Sequence, residues 1–125
     1  MRGDMLPGLL ENVAFNLNHQ IDDLKIFEFG KIYRFDGNLD PNADVSVRYT
    51  EPQQLAIAVT GLRENESWEK YHRRADFYYL HSILRKVMQR VGVNFRLLKI
   101  VESQIPFYYQ GRDLFFGNEP LAWVG

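Results

Sequence analysis

Apolar positions along this chain change period from block to block. Leu9, Leu10, Val13 and Leu17 recur at helical spacing behind Pro7, whose missing N–H costs nothing in a first helical turn. The pattern predicts a helix from about Pro7 to His19. Ile21-Asp22-Asp23 then reads as a connector. Leu24 to Phe35 is rich in branched and aromatic side chains (Ile26, Phe27, Phe29, Ile32, Tyr33, Phe35), which suits a strand. Gly30 interrupts that run and points to a bulge or a close backbone approach. Turn residues dominate from Asp36 to Thr50, which is expected to be an exposed loop. Gln53 to Gly61 alternates on Leu55, Ile57 and Val59 with alanines between, the pattern of a buried strand. Leu62 to Arg74 is charged and irregular, with Trp68 and Tyr71 as anchors.

The second half repeats the order of helix, then strands. Asp76 is a good N-cap, and Phe77, Leu80, Leu84, Val87, Met88 and Val91 form one apolar stripe that Gly92 is placed to end. Arg85, Lys86 and Arg90 put positive charge near the C-terminus of that helix, where its dipole favours cations. Phe95 to Val101 reads as a strand. Leu114-Phe115-Phe116 and Leu121-Ala122-Trp123-Val124 flank Gly117-Asn118-Glu119-Pro120 as a hairpin. Two helices and several antiparallel strands make an α+β domain, an antiparallel sheet flanked by helices. The 125 residues fit one domain, residues 1–125. An apolar strand at the end of the sequence suggests a fragment of a longer chain.

Composition narrows the function classes. Fifteen basic residues against sixteen acidic ones leave a net charge of −1, which excludes a generally basic nucleic-acid binder but not a local patch. The absence of cysteine excludes disulfides, thiol chemistry and zinc–thiolate sites. No apolar run approaches the roughly 20 residues that span a bilayer. Nine Phe, seven Tyr and two Trp favour strands and large packed interfaces.

Few residues carry chemistry. His19, His72 and His81 stand apart, and no Asp, Glu or His cluster has ligand spacing, so no metal site is expected. His81 lies beside the apolar stripe and reads as structural. Ser46, Ser67, Ser82 and Ser103 sit in no nucleophile elbow, and no glycine-rich loop precedes a helix. Basic and aromatic residues do meet in Lys70-Tyr71-His72-Arg73-Arg74. Such a loop can bind RNA through phosphate contacts and stacking, with Arg73 and Arg74 as the contacts, although the nearby Glu64, Glu66, Glu69 and Asp76 favour a solvated loop.

Several short motifs, taken in order, are more specific. Arg2 precedes Leu6-Pro7-Gly8-Leu9-Leu10; Asn16-Leu17-Asn18 closes the first helix; Phe27-Glu28-Phe29-Gly30-Lys31-Ile32-Tyr33 follows. Downstream come Asp76-Phe77-Tyr78-Tyr79-Leu80-His81, then Gly111-Arg112, Gly117-Asn118-Glu119-Pro120 and Trp123-Val124-Gly125. This series resembles the β chain of bacterial phenylalanyl-tRNA synthetase, over nearly the whole sequence. The resembling segment is that chain's catalytic-like module, a copy of the class II synthetase core. Lys31 to Asp36 sits where the second signature motif has its strand, and Arg34 matches the arginine that contacts the ATP α-phosphate there. The Gln-x-Glu-Gly that should follow is replaced by Val59-Thr60-Gly61-Leu62. Ile105-Pro106-Phe107-Tyr108-Tyr109 resembles a catalytic stretch stripped of its polar residues. Arg34 is therefore not carried over as catalytic.

The resemblance implies assembly rather than catalysis by this segment. It implies no catalytic, cofactor-binding or metal residues here, with ATP and magnesium used by the whole enzyme. The implied partner is the catalytic α chain in an (αβ)2 assembly, with tRNA bound through the whole enzyme, in the cytoplasm. The expected contact surface is the first helix with the following strand and the Pro106 to Tyr109 segment: Met5, Leu6, Leu10, Leu17, Tyr33, Phe107, Tyr108 and Tyr109. Leu9, Val13, Phe27 and Phe29 are expected in the core. An RNA-binding module using Lys70 to Arg74 is the alternative.

Overall fold

A computed structural model describes residues 2–35, 49–64 and 73–125. The chain forms two compact units, Met1–Leu62 and Arg63–Gly125. Both mix helix with antiparallel strands, so the α+β class holds.

The first unit opens with helix α1 (Leu6–Asn18). Asp4 Oδ1 accepts a hydrogen bond from Leu6 N at 3.0 Å, next to Pro7 in the first turn. The helix ends in a Schellman motif: Gln20 N donates to Leu17 O and Ile21 N to Asn16 O, with Gln20 at φ 62°. Strand β1 (Lys25–Lys31) then pairs antiparallel with β4 (Gln53–Val59), and short β2 (Arg34–Phe35) pairs with β3 (Tyr49–Thr50). Met5, Leu9, Val13, Leu24 and Ile32 are the buried apolar residues.

Register decides which face of the β1–β4 ribbon meets the helix. Ile26 opposes Ala58, Glu28 opposes Ala56 and Gly30 opposes Gln54, so these six share one face. That face meets the start of the chain. Arg2 pairs with Glu28, Met5 N donates to Gln54 Oε1, and a Cβ added at Gly30 would lie 2.9 Å from Arg2 Nη2 and 3.4 Å from Met5 Cε. Gly30 is thus a close approach and not a bulge; pairing runs through it without a break. Small residues here let the helix come near.

The opposite face carries Phe27 and Phe29, and this corrects the expectation that they are core. They are 74 % and 63 % exposed. Phe27 opposes Ile57 and Phe29 opposes Leu55. β4 is likewise not fully buried: α1 packs on this ribbon, its alanines share the face that meets the helix start, and Leu55 is exposed.

The second unit is built on helix α2 (Phe77–Arg90) over a three-stranded sheet of β5 (Leu98–Glu102), β6 (Arg112–Phe116) and β7 (Glu119–Val124), with β6 central. Asp76 caps α2 as expected, its Oδ1 accepting from Tyr79 N at 2.8 Å. Gly92 N donates to Gln89 O and Val93 N to Met88 O, a second Schellman closure with Gly92 at φ 82°. Val91, expected in the stripe, is the C-cap and is exposed. Phe77, Leu80 and Leu84 pack on buried Leu98, Leu114 and Val124. Phe95–Leu97 is a single 3-10 turn capped by Asn94, so the strand expected from Phe95 starts at Leu98. Gly117, at φ 63°, sits in the β6–β7 turn, and a shift in pairing after Leu114 leaves Leu121 unpaired as a bulge.

Candidate partner interface

The residues singled out from the sequence as partner contacts fall into four places. Met5, at the entrance to α1, is 1 % exposed and belongs to the first unit's core. Leu6 is half-buried, while Leu10 and Leu17, two turns apart on one side of α1, are exposed. Tyr33 is half-buried beyond β1, its N–H donating to Arg2 O at 2.9 Å. Phe107, Tyr108 and Tyr109 lie in the second unit, in the connection between β5 and β6.

That connection is tied down at several points. Ser103 N donates to Gly111 O at 3.1 Å and closes its base. Ile105 N donates to Ser103 Oγ at 3.3 Å, and Tyr108 N donates back to Ile105 O at 3.2 Å, making a turn. Gly111 is buried. A Cβ there would come within 2.6 Å of Ser103 Cβ and 3.0 Å of the Tyr108 ring, and a Cβ on Gly125 would also collide with that ring. Tyr108, half-buried, therefore packs closely against two glycines. Its neighbours face outward: Phe107 is 66 % exposed and Tyr109 is 99 % exposed. The Phe107 and Tyr108 rings meet edge to face at 5.0 Å.

Sequence reasoning missed the outer face of the β1–β4 ribbon, where Phe27, Phe29 and Leu55 stand together in solvent. Gly30, Ala56 and Ala58 were the available signal. Three small residues on one face mark the close side, so the bulky residues belong to the other. The glycine seat of Tyr108 had no local signal, because Gly125 is far from Tyr108 in sequence.

The other candidates contribute little. Arg34 stands on β2 opposite Thr50, exposed. Val59-Thr60-Gly61-Leu62 closes the first unit: Thr60 Oγ1 donates to Asp22 O at 2.5 Å and Leu62 N to Asp23 Oδ1 at 2.7 Å. Arg73 and Arg74 are exposed, and their carbonyls accept from Arg63 N and Arg63 Nε. Lys70, Tyr71 and His72 lie outside the described residues. His81 is half-buried between the rings of Phe77 and Phe95, at 6.0 and 5.3 Å. Among the described residues no three His, Asp or Glu side chains gather as a metal set, and no helix is long and apolar enough to cross a membrane.

The sequence model of the phenylalanyl-tRNA synthetase β chain CLM domain matches residues 1–125. The chain belongs to that CLM domain family. Among curated relatives, the phenylalanine–tRNA ligase β subunit of Bacteroides thetaiotaomicron is 33 % identical over 100 residues, 80 % of this chain and 12 % of the relative. That of Chlamydia abortus is 30 % identical over 127 aligned positions, 100 % of this chain and 15 % of the relative. That of Geobacter sulfurreducens is 33 % identical over 114 residues, 90 % of this chain and 13 % of the relative. This CLM chain thus spans about an eighth of the length of these β subunits.

Proposed function

We propose that this chain is a non-catalytic structural module of the phenylalanyl-tRNA synthetase β chain, similar to a class II synthetase core, which packs on the catalytic α chain of an (αβ)2 enzyme in the cytoplasm. The whole enzyme attaches phenylalanine to its tRNA. The observation that carries this reading is the uncovered face of Phe27, Phe29 and Leu55 on a ribbon whose other face is filled. Clustered exposed aromatics on a folded module mark a surface made to be covered. Membership in the β chain family supplies the kind of partner that covers it.

ATP and magnesium are proposed to be used by the whole enzyme, outside this segment. The donor set here does not fit them. Arg34 stands exposed on a two-residue strand, and the residues in place of Gln-x-Glu-Gly spend their polar groups on Asp22, Asp23 and Leu24. An α-phosphate contact needs a fixed bidentate cation supported by neighbouring donors. No step is derived through either group.

The test is size-exclusion chromatography of the chain mixed with the phenylalanyl-tRNA synthetase α chain of the same organism. Co-elution as a stoichiometric complex is expected. Separate elution at micromolar concentration would overturn the reading. Pyrophosphate exchange by the chain alone would overturn its non-catalytic part.

A further inference from the structure

The β5–β6 loop displays its aromatic residues in a fixed out–in–out order. Tyr108 is held inward against Gly111 and Gly125, and its N–H is committed to Ile105 O. Phe107 and Tyr109, on either side of it, stay exposed. A loop of this length with free backbone could fold its rings down onto its own sheet. This one is closed at its base by the Ser103–Gly111 bond and braced by Ser103 Oγ, so Tyr109 stays 99 % exposed. Holding Tyr109 out in water gives nothing to the isolated fold, since apolar area is stabilising only when removed from solvent, and Phe107 gains there only its edge contact with Tyr108. It does remove ordering cost from a later binding event.

Composition separates a protein partner from a nucleic acid. Ser103 to Gly111 contains no charged residue. The first cation after it, Arg112, turns its Nη1 back onto Gly111 O at 2.8 Å. A base-stacking platform without a phosphate-binding cation lacks the largest contribution to nucleic-acid affinity. Depletion of charge with Tyr and Phe at the centre is the signature of the buried core of a protein interface.

We propose that this loop is a preorganised two-ring anchor. Phe107 and Tyr109 enter an apolar pocket on the α chain, and Tyr108 is a positioning residue that acts through them. The identity of the partner rests on the function proposed above.

The experiment measures affinity between the α chain and this β chain in the form its cell makes, by calorimetry, with hydrogen exchange of the loop amides alongside. Tyr109→Ala is expected to weaken binding about tenfold or more with loop exchange and melting temperature unchanged, and Phe107→Ala to weaken it as much while also losing the edge-to-face contact with Tyr108. Tyr108→Ala is expected to weaken binding while speeding exchange across residues 103–111. Gly111→Ala, which crowds the ring out of its seat, is expected to reproduce both effects. Wild-type affinity, within about twofold, in Phe107→Ala and Tyr109→Ala would overturn the anchor and leave the proposed function intact. A wild-type chain that fails to bind α would overturn the function and the assigned occupant together. Loss of single-stranded RNA binding in Tyr109→Ala, with α binding unchanged, would reassign the rings to stacking.

Discussion

Arg63 and Asp76 form an ion pair at the threshold of α2, Arg63 Nη2 lying 2.6 Å from Asp76 Oδ2 while Asp76 Oδ1 caps Tyr79 N. The same guanidinium stands over the Tyr79 ring at 5.1 Å. One carboxylate thus serves the helix start and the chain that leads into it. Asp76→Ala is expected to destabilise the second unit by about 1–2 kcal/mol, the usual cost of an N-cap. Asp76→Asn keeps the cap oxygen and loses only a partly exposed pair, so a cost under about 1 kcal/mol is expected. Urea unfolding followed by circular dichroism separates the two; equal losses would show that the ion pair dominates.

Gly61 and Gly92 share a left-handed backbone but differ in their neighbours. Gly61, at φ 71°, faces Asp22 O at 2.6 Å and Asp23 Cα at 2.8 Å from an added Cβ, whereas Gly92 faces open space. Gly92→Ala carries only the conformational penalty, about 1–2 kcal/mol. Gly61→Ala adds a backbone collision that must push the Asp22–Asp23 connector aside, and the cost is expected to exceed that of Gly92→Ala by about 1 kcal/mol or more. Thermal melts of the two variants check the order.

Gln20 occupies a position that glycine prefers. It follows α1 at φ 62°, holding a Schellman closure with a side chain that disfavours this region. Gln20→Gly is expected to stabilise the first unit by up to about 1 kcal/mol, despite the larger chain entropy of glycine when unfolded. A lower melting temperature would mean that the entropy of the unfolded chain outweighs the relief of backbone strain.

Phe27 lies on the outer face of β1, and its removal from a solvent-facing position should leave the fold intact. Phe27→Thr keeps strand propensity and is expected to change unfolding free energy by less than about 0.5 kcal/mol. A core phenylalanine would lose about 3–5 kcal/mol on truncation. On the function proposed above, binding to the α chain by the same variant is expected to weaken, so stability and affinity part company at this residue.

Much of this fold could be read from periodicity. Both helices, the Asp76 cap, the Gly92 stop and the Gly117 hairpin rest on local rules, and each is present within a residue or two. What escaped was the sidedness of β1. Alternation says that Phe27 and Phe29 share a face, but not which face a single helix will cover. Tertiary packing settled it in favour of Gly30, Ala56 and Ala58, because α1 needs closeness more than bulk. The candidate site was half legible. Pro106 to Tyr109 stood out through its resemblance to a catalytic stretch without the polar residues, yet the inward turn of Tyr108 depends on Gly111 and Gly125 and so on the closed sheet. Phe95 was misplaced into a strand because Asn94 caps a short turn there.

A ribbon lined with small residues on one side and phenylalanines on the other has a consequence for supply. Its outer face stays water-exposed however well the first unit folds. Made in excess over whatever covers that face, such a chain would meet copies of itself, and sheet-to-sheet sticking grows with concentration. Purified without its cover, the chain is expected to be limited by this self-association before it is limited by thermal unfolding.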